Sequence, residues 1–292
     1  MKLLTVSIPT YNRCDKLAKT LANLIGQIER GGFENDIEIV VSDNASSDNT
    51  KNIVCNLQNE HPNIDINYYR NRKNLGWENL KLAADYGQGK FVWICSDDDA
   101  LDSRILSVIV KNISDNENIS YLYIPSVQSN IALSGKTQIK NLLKNSVMCG
   151  ALVSSNVFRR DAVSCICVKS FTWYHLNLLF NMDMSASCVV LPKLIDIKMP
   201  DKQDKSYWEY NALKALDYNT EIVWVAHISA APNEIKKLVY SHYKRVIFKN
   251  IKRAFLCINK SLAKKCANRL KGIKGFGVEY IVLSILSKFA KK

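Results

Sequence analysis

Apolar and polar residues follow two alternating periods along the first hundred positions. Short apolar runs typical of buried strands alternate with segments in which apolar residues recur at helical spacing. We expect strands at Leu3–Ile8, Ile37–Val41, Ile64–Tyr69 and Lys90–Cys95, and helices at Asp15–Ile28 (with Asp15 as N-cap), Ser47–Asn59, Gly76–Tyr86 and Asp102–Ile113. Four strand–helix units in series predict an α/β fold with a mostly parallel, doubly wound sheet flanked by helices.

The pattern is less regular between residues 101 and 230. Further strands are predicted at Ile119–Pro125, Cys188–Leu191 and Glu221–Ala226, a strand or strand-turn at Gly150–Phe158, and a helix at Tyr207–Leu216. We expect these strands to extend the same sheet. Residues 1–230 would then form one domain, in which residues 101–230 enclose one side of a site.

The last segment differs from the rest in both pattern and charge. The chain has 292 residues and a formal net charge of +13. Residues 1–230 hold 24 Lys and Arg against 25 Asp and Glu, whereas residues 231–292 hold 16 against 2. Apolar residues recur at helical spacing from Glu234 to Leu270, and a second apolar run covers Phe276–Leu286. The sequence therefore predicts a basic, amphipathic helical extension at residues 231–292 whose partner is an anionic surface.

Composition and cysteine spacing exclude several classes of protein. The chain is 47% hydrophobic and 23% charged, and no apolar window reaches the roughly 18 to 20 residues of a membrane-spanning helix. Its nine cysteines form no CxxC pair and have no histidine at ligand spacing, which favours reduced thiols over zinc sites or disulfides. The apolar run at Lys2–Ile8 is too short for the core of a signal peptide, so we expect a cytoplasmic protein.

Polar residues gather in the loops that follow the predicted strands. These loops are Pro9–Arg13, Ser42–Asp48, Arg70–Gly76 and Ser96–Asp99. Because the carboxyl ends of parallel strands meet at one edge of a sheet, where such folds bind ligands, we expect the loops to form one site. Arg70, Arg72 and Lys73 on the same edge as an acidic triplet suit a phosphorylated ligand that is bridged by a divalent cation.

The triplet Asp97-Asp98-Asp99 is the sharpest of these features. Two carboxylates one residue apart at the end of a buried strand project to the same side. A hard cation such as Mg²⁺ or Mn²⁺ takes one or two carboxylates together with water and phosphate oxygens. Capping of the next helix would explain one aspartate but not three, because adjacent like charges repel. We therefore predict a divalent metal site formed by Asp97 and Asp99.

Taken in order, these motifs resemble the family 2 glycosyltransferases of the GT-A fold. The matching segments are Val6–Arg13 (VSIPTYNR), Glu38–Asp48 (EIVVSDNASSD), Asn74–Gly76 (NLG) and the DxD motif Asp97–Asp99. The resemblance covers residues 1–165 and is nearest to bacterial enzymes that build O-antigen and other surface polysaccharides. It implies a GT-A, Rossmann-like domain in which residues 1–100 bind the donor and residues 101–230 form the acceptor side. The implied activity is metal-dependent, inverting transfer of a sugar from a nucleotide-sugar donor to a lipid-linked or oligosaccharide acceptor.

The resemblance also implies roles for individual residues. The nucleobase and ribose would be held by Pro9, Thr10, Tyr11, Asn12 and Asp43, and the nucleotide would be flanked by Arg72 and Asn74. Asp97 would contact the ribose or the sugar with Asp98 beside it, and Asp99 would coordinate Mn²⁺ or Mg²⁺ on the pyrophosphate. Such a cation stabilises negative charge on the departing nucleoside diphosphate. The alternative for Asp43 and Asp48 is a turn or a helix cap.

The expected general base departs from the family pattern. Inverting members use an acidic residue after the strand that here ends at Phe158, and no Glu-Asp pair occurs there. His175 lies at roughly the expected place and Asp183 is the nearest carboxylate, so these two are the candidate catalytic residues. An imidazole with a pKa of about 6.5 can act as a base at neutral pH. The alternative for His175 is a hydrogen-bonded histidine on a partly apolar helix.

The basic extension fits an enzyme that works on lipid-linked sugars. Its segments are too short to span a bilayer but suited to lie on the inner face of the cytoplasmic membrane, where each Lys or Arg contributes roughly 1 kcal/mol. Packing on the catalytic domain is the alternative, and nucleic acid is not an expected partner. Two other functions are alternatives. One is a nucleotidyltransferase, which would normally have a Gly-rich loop after the first strand, and this sequence has none there. The other is a degenerate, non-enzymatic protein that binds a glycan or a membrane.

Overall fold

The computed structural model describes residues 1–127, 130–146, 150–168, 171–196, 205–254 and 258–289, with the backbone alone at 205–211, 254 and 289. The chain divides into two compact units, Met1–Lys198 and Met199–Lys292. The first is called the N-terminal unit and the second the helical unit. Part of the predicted helical stripe, at residues 255–257, lies outside the described residues.

The first hundred residues form the predicted strand–helix series. The elements are β1 (Leu4–Thr10), α1 (Cys14–Gly31), β2 (Ile37–Asp43), α2 (Thr50–Glu60), β3 (Asp65–Arg70), α3 (Glu78–Tyr86) and β4 (Phe91–Ile94). Every residue of β2 and β4 is buried, as expected for strands that are covered on both faces. The alternation of strand and helix periods therefore predicted these elements to within a few residues.

The rest of the N-terminal unit is made of shorter elements. They are β5 (Ala100–Leu101), α4 (Ile105–Ser114), β6 (Tyr121–Tyr123), β7 (Gly135–Gln138), α5 (Ile139–Asn145), β8 (Asn156–Arg159), α6 (Arg160–Val163), α7 (Tyr174–Asn181), β9 (Ser187–Val190) and β10 (Ile195–Asp196). A short 3-10 turn at Val153–Ser155 precedes β8, within the segment Gly150–Phe158 for which the sequence predicts a strand or a strand with a turn.

One sheet organises the N-terminal unit. Among the described residues it has eight strands in the order β3-β2-β1-β4-β8-β6-β9-β7. The first four are parallel, whereas β8 runs antiparallel to both β4 and β6, and β7 runs antiparallel to β9. The core contains Leu17, Leu21 and Ile28 of α1 packed with strand residues such as Val6 and Trp93. The predicted mostly parallel α/β sheet with flanking helices is confirmed.

A buried carboxylate lies at the end of the sheet where the parallel strands begin. Glu38 of β2 is 3% exposed and accepts hydrogen bonds from Thr5 Oγ1 (2.7 Å), the amide of Gly89 (2.9 Å) and the amide of Gln88. Gly89 passes so close to β1 that a Cβ there would lie 2.5 Å from the backbone nitrogen of Thr5. Glu38 therefore fixes the turn that leads from α3 into β4.

The helical unit contains four helices in its described residues. They are α8 (Lys205–Ile228), α9 (Asn233–Ala254), α10 (Lys260–Leu270) and α11 (Gly277–Phe289). The strand predicted at Glu221–Ala226 is wrong, because this segment is the last part of α8 and buries Ile222, Val223, Val225 and Ala226. A short apolar run does not separate a buried strand from a buried helix.

Ion pairs join α10 to α8. Arg269 of α10 contacts Asp217 and lies 2.8 Å from Glu221, and Lys265 lies 2.9 Å from Asp217. The helical unit therefore begins well before residue 231, where the sequence placed the start of the basic extension. Of the described helices, none combines the length and the apolar character that crossing a membrane requires.

The contacts of Glu38 lead to a prediction about stability. Replacing Glu38 by Ala leaves the amides of Gln88 and Gly89 without their acceptor, so we expect a loss of about 3 kcal/mol in the free energy of unfolding, measured in urea. Glu60→Ala, an exposed position at the end of α2, is the matched control and should cost less than about 0.5 kcal/mol. Equal effects of the two substitutions would contradict the structural role of Glu38.

Candidate active site

Four polar loops meet at the edge of the sheet where the parallel strands end. The register pairs Thr10 with Asp43, and Asp43 with Arg70, so the last residues of three strands lie side by side. The loop Ser96–Asp99 joins them on the same edge because β4 is parallel to β1. This arrangement follows directly from the parallel order of the four strands.

Asp97 is the most buried carboxylate of the triplet. It is 3% exposed, and its two oxygens accept from Thr10 Oγ1 at 2.7 Å and from Arg13 Nη1 at 2.9 Å. Thr20 of α1 also donates to the backbone carbonyl of Asp97 at 3.0 Å. Burial raises the pKa of Asp97, and the hydrogen bond from Thr10 and the charge of Arg13 oppose that rise. Asp97 thus ties β4 to both β1 and α1.

Asp98 is neutralised by two cations. Its Oδ2 lies 2.9 Å from Lys16 Nζ and 3.2 Å from Arg13 Nη1, and its Oδ1 accepts from Ser96 Oγ at 2.7 Å. Burial raises the pKa of Asp98, but the hydrogen bonds from Lys16 and Ser96 and the charge of Arg13 outweigh it and lower the pKa. The negative charge of Asp98 is therefore balanced by Lys16 of α1 and by Arg13, which directly precedes that helix.

Asp99 differs from its two neighbours because no cation pairs with it among the described residues. Its Oδ2 accepts from Ser154 Oγ at 2.6 Å, and its Oδ1 receives no hydrogen bond from the part of the chain that the structure describes. Burial is the main cause of a raised pKa of Asp99, and the charges of Asp98 and Asp97 add to it. A half-buried carboxylate with one free oxygen is suited to receive a cation.

The fit of the triplet to a divalent metal is therefore uneven. The described residues contain no group of three His, Cys, Asp or Glu side chains that would enclose a metal without further ligands. Asp99 offers a free carboxylate oxygen, whereas both oxygens of Asp97 are bonded to Thr10 and Arg13. A cation held by Asp99 would need its other positions filled by water or by phosphate oxygens.

The side chains of the predicted loop residues Asn12, Asp43 and Asp48 accept hydrogen bonds from neighbouring parts of the chain. Asn12 adopts a left-handed backbone with φ of 50°, and its side chain accepts from the amide of Ser47 at 2.8 Å. Asp43 is 1% exposed and accepts from the Tyr68 hydroxyl at 2.5 Å. Asp48 accepts from the amides of Cys14 and Thr50 at 2.9 and 3.1 Å, so it caps both α1 and α2. The prediction of Asp15 as the cap of α1 is wrong.

A network of asparagine amides holds the Asn74–Gly76 turn. Asn44 donates to Asn74 Oδ1 at 2.9 Å and accepts from the amide of Leu75 at 2.8 Å, and Asn74 Oδ1 also accepts from the amide of Gly76. Gly76 has φ of 58°, which glycine adopts without strain. The NLG motif is thus a rigid turn beside the end of β2.

A cleft of about 450 Å³ lies among these loops. Pro9, Thr10, Tyr11 and Asp97 of the predicted nucleotide site line it, together with Arg13, Asn44, Gly76, Trp77, Asn79, Leu80, Ser96 and Val153. Tyr11 and Trp77 are 43% and 48% exposed and give the cleft two aromatic surfaces. Arg72 is exposed and makes no hydrogen bond or ion pair with the other described residues. Arg72 does not line the cleft. Aromatic faces bind a nucleobase, and a guanidinium such as that of Arg13 in the cleft wall binds a phosphate.

A second cavity of about 520 Å³ borders the same triplet. It is lined by Lys16, Lys19, Thr20 and Asn23 of α1 and by the segment from Asp98 to Leu101. Asp97 faces the first cleft, whereas Asp98 and Asp99 face this cavity. The triplet therefore stands between two spaces, each of which has basic side chains on its wall.

The structure places the candidate base His175 in the interior. His175 is 1% exposed in α7, its Nε2 bonds to the carbonyl of Ala151 at 3.1 Å, and its Nδ1 is buried without a partner among the described residues. Burial lowers the pKa of His175 to about 4. A buried imidazole that does not line either cavity is poorly placed to take a proton from an acceptor, which corrects the expectation from sequence.

Asp183 lies at the opposite edge of the sheet from the triplet. β9 runs in the same direction as β4, because β9 is parallel to β6, and both β6 and β4 are antiparallel to β8. Asp183 comes before the start of β9, whereas Asp97–Asp99 follow the end of β4. Its carboxylate accepts from the amide and hydroxyl of Ser185 at 2.9 and 2.7 Å. Asp183 is therefore a turn residue, and its predicted catalytic role is corrected.

Sequence reasoning did not single out Lys16 and Ser154, and it assigned no separate role to Arg13. Arg13 closes the motif after β1, so its place beside the triplet has a signal in the sequence. Lys16 lies in the first turn of α1 and has no such signal. Ser154 bonds to Asp99 and accepts from the amide of Ser96 at 2.8 Å, although 55 positions separate it from Asp99. Only the pairing of β4 with β8 brings it there.

Comparison with known proteins identifies the class. The family model "Glycosyl transferase family 2" matches residues 5–166, more than half of the chain. The chain belongs to glycosyl transferase family 2. The match spans β1 to β8 and therefore contains the triplet, the cleft and Ser154.

Relatives and solved structures agree with that assignment. The chain is 39% identical over 108 residues to abequosyltransferase RfbV of Salmonella typhimurium and 35% identical over 123 residues to a GalNAc(5)-diNAcBac-PP-undecaprenol beta-1,3-glucosyltransferase of Campylobacter jejuni. These matches cover 37% and 42% of this chain but 31% and 38% of the relatives, so the chain matches about a third of their length.

Two solved structures share the fold at low identity. S. aureus TarS 1-349 has a TM-score of 0.63 at 14% identity over 93% of this chain and 81% of that chain. The mannosyltransferase PcManGT from Pyrobaculum calidifontis, in complex with GDP-Man and Mn²⁺, has a TM-score of 0.60 at 15% identity over 99% of this chain and 88% of that chain. At these identities the comparison establishes the fold, which is the predicted GT-A fold.

The burial of His175 predicts a pH dependence of stability. With a pKa of about 4 when folded and about 6.5 when unfolded, His175 binds protons more readily in the unfolded chain. Its contribution is complete above pH 6.5 and is lost as the pH falls toward 4, so about 2 kcal/mol disappear between pH 7 and pH 5. His175→Gln keeps a donor for Ala151 and should lack this loss in urea unfolding. An identical pH dependence in the variant would show that His175 is not the buried group.

Proposed function

We propose that the chain is a metal-dependent, inverting glycosyltransferase that moves a sugar from a nucleotide-sugar donor to a lipid-linked glycan acceptor. The observation that carries this proposal is the acidic triplet at the strand ends, in which Asp97 is buried and paired and Asp99 keeps one oxygen without a hydrogen bond from the described residues. The triplet lies between two cavities. The family match favours this reading over the nucleotidyltransferase alternative.

The donor site is the cleft lined by Tyr11, Trp77 and Asp97. Tyr11 and Trp77 provide stacking surfaces for the base, and Thr10 and Arg13 hold Asp97 so that it faces the sugar part of the donor. Arg72 is proposed as a phosphate ligand because its guanidinium is unpaired among the described residues, although it does not line the cleft. Asn12, Asp43 and Asn74 shape the loops that form the cleft instead of reaching into it.

Asp99 would hold the divalent cation, which supplies Lewis-acid stabilisation of the departing diphosphate. Support for a cation comes from the free oxygen of Asp99, from its raised pKa and from PcManGT, which was solved with GDP-Man and Mn²⁺. Ser154 orients Asp99 through the other oxygen. Lys16 and Arg13 neutralise Asp98, so that the net charge facing a diphosphate is reduced.

The acceptor class is proposed from the relatives. One relative is named as an abequosyltransferase, and the other as a glucosyltransferase on a GalNAc(5)-diNAcBac-PP-undecaprenol acceptor. We place this chain in the biosynthesis of a bacterial surface polysaccharide, with the reaction on the cytoplasmic side of the membrane.

The helical unit has a surface that suits association with an anionic membrane. Val278, Ile281 and Ile285 of α11 are 60%, 56% and 52% exposed, and their spacing places them on one face of the helix. Lys274 and Lys288 flank this stripe and are exposed. An exposed apolar stripe with basic residues at its ends is typical of helices that lie in the membrane interface.

Loss of the free carboxylate tests the transferase site. In titration calorimetry with UDP, GDP, CDP and dTDP, we expect the wild-type protein to bind one nucleotide in Mn²⁺ and to lose that binding in EDTA. Asp99→Asn should weaken the Mn²⁺-dependent binding at least about a hundredfold and abolish sugar transfer, because the metal ligand is lost. Asp102→Asn removes a charge that pairs with Arg104 and also accepts from the Arg104 amide, and it is the matched control because Asp102 lines neither cavity. Equal Mn²⁺-dependent binding by Asp99→Asn would refute the metal assignment.

The apolar stripe on α11 gives a second test. Replacing Ile281 and Ile285 by Gln should weaken co-sedimentation with vesicles that contain phosphatidylglycerol at least about tenfold, because burial of two isoleucines in the interface is lost. Val127→Gln changes an apolar side chain of the N-terminal unit that is 53% exposed and should leave vesicle binding within about twofold. Unchanged binding by the stripe variant would remove α11 from the membrane-binding surface.

A further inference from the structure

A basic cavity opens in the helical unit, outside the candidate active site. It has a volume of about 470 Å³, and its lining includes Lys236, Lys237, Lys274, His227, Tyr240 and Asn233. Three lysines therefore surround one concave space, and no acidic side chain lines it among the described residues.

Contacts between three segments fix the walls of the cavity. Lys236 Nζ donates to the carbonyl of His227 at 2.9 Å, which links the start of α9 to the last turn of α8. His227 Nδ1 lies 3.0 Å from the Tyr240 hydroxyl, and the Tyr240 ring packs edge-on against Phe276 at 5.9 Å. Phe276 is fully buried and directly precedes α11. The cavity is thus a built feature of α8, α9 and the α10–α11 connection.

The charges in the cavity are not neutralised by the protein. Lys237 and Lys274 are exposed, and neither forms an ion pair within the described part of the chain. In the same unit, Lys265 and Arg269 are paired with Asp217 and Glu221. Partial burial lowers the pKa of Lys236. Unpaired ammonium groups around one space repel each other, and a bound anion relieves that repulsion.

The donors in the cavity suit the oxygens of a phosphate group. Lysine ammonium groups, the Tyr240 hydroxyl and the Asn233 amide all donate hydrogen bonds that phosphate oxygens accept. The exposed apolar stripe of α11 begins at Val278, four residues after Lys274. A ligand that carries both an anionic head and an apolar chain matches these two neighbouring features.

We propose that this cavity binds the phosphate group of an anionic membrane lipid, whose apolar chains lie beside the stripe Val278, Ile281 and Ile285. The inference rests on the membrane association proposed above and makes it specific, because it assigns the headgroup to one cavity instead of to the diffuse positive charge of the helical unit. Lys237 and Lys274 are the main contacts, since Lys236 is partly engaged with His227.

The test compares two double variants of the full chain that remove the same charge. Lys237→Gln with Lys274→Gln changes the cavity, and Lys244→Gln with Lys249→Gln changes two exposed lysines of α9 outside it. Binding to vesicles of phosphatidylcholine with phosphatidic acid is measured by co-sedimentation. We expect the cavity variant to lose at least about tenfold more affinity than the control variant, which loses only the general attraction to the surface. Equal losses would overturn the proposal in favour of diffuse attraction.

Inorganic phosphate separates a lipid headgroup from a soluble ligand. In calorimetry with the wild-type protein we expect phosphate to bind far more weakly than the vesicles do, because it lacks the apolar chains. Phosphate binding as tight as vesicle binding, with the same loss in the cavity variant, would make a soluble phosphate compound the ligand and overturn the lipid assignment.

Mn²⁺-dependent nucleotide binding is measured on the same preparations. Both double variants should keep it, because neither alters the N-terminal unit. Failure of wild-type protein to bind vesicles, with nucleotide binding intact, would refute the cavity proposal and leave the transferase proposal standing.

Discussion

A carboxylate buried at the end of a strand has to find its hydrogen-bond donors nearby, and Asp97 finds them at the end of β1. Thr10 and Arg13 supply its two partners, and Thr20 of α1 holds its backbone carbonyl. Without these donors the burial of the charged group would cost several kcal/mol. The same contacts fix where β4 ends, and so determine the positions of Asp98 and Asp99. The cleft lies on the Asp97 side of this junction and the second cavity on the side of Asp98 and Asp99.

The order of elements in the first hundred residues was readable because local pattern and tertiary structure agree there. β2 and β4 are buried at every residue and β1 at all but one, so these strands are largely apolar, whereas β3 at the end of the strand order is partly exposed. The helix α1 keeps one apolar face. The placement of β8 between β4 and β6 was not readable, since strand neighbours depend on contacts between distant residues. The strand prediction at Glu221–Ala226 was wrong for a related reason. This part of α8 is buried and apolar on most of its faces, so the sequence lacks the periodicity that would indicate a helix.

The site shows the same division between local and distant information. The triplet was recognisable because three adjacent aspartates after a buried strand have no simple structural explanation. The sequence did not show how the three carboxylates differ from one another. Lys16 neutralises Asp98, and Ser154 bonds one oxygen of Asp99 and leaves the other free. His175 and Asp183 were chosen for their position along the chain. His175 is buried in α7, and the direction of β9 places Asp183 at the far end of the sheet from the triplet. Neither burial nor strand direction can be read from a linear sequence.

The contact of Arg269 with Asp217 and Glu221 has a consequence for how such chains recombine. A crossover near residue 230, where the composition changes most sharply, would leave Asp217 and Glu221 with one parent and Arg269 with the other. The recombinant would then bury charges whose partners had been left behind. A crossover before α8 keeps all three together. The family match ends at residue 166, before this region begins. These ion pairs therefore make α8 and α10 a set that has to be exchanged together.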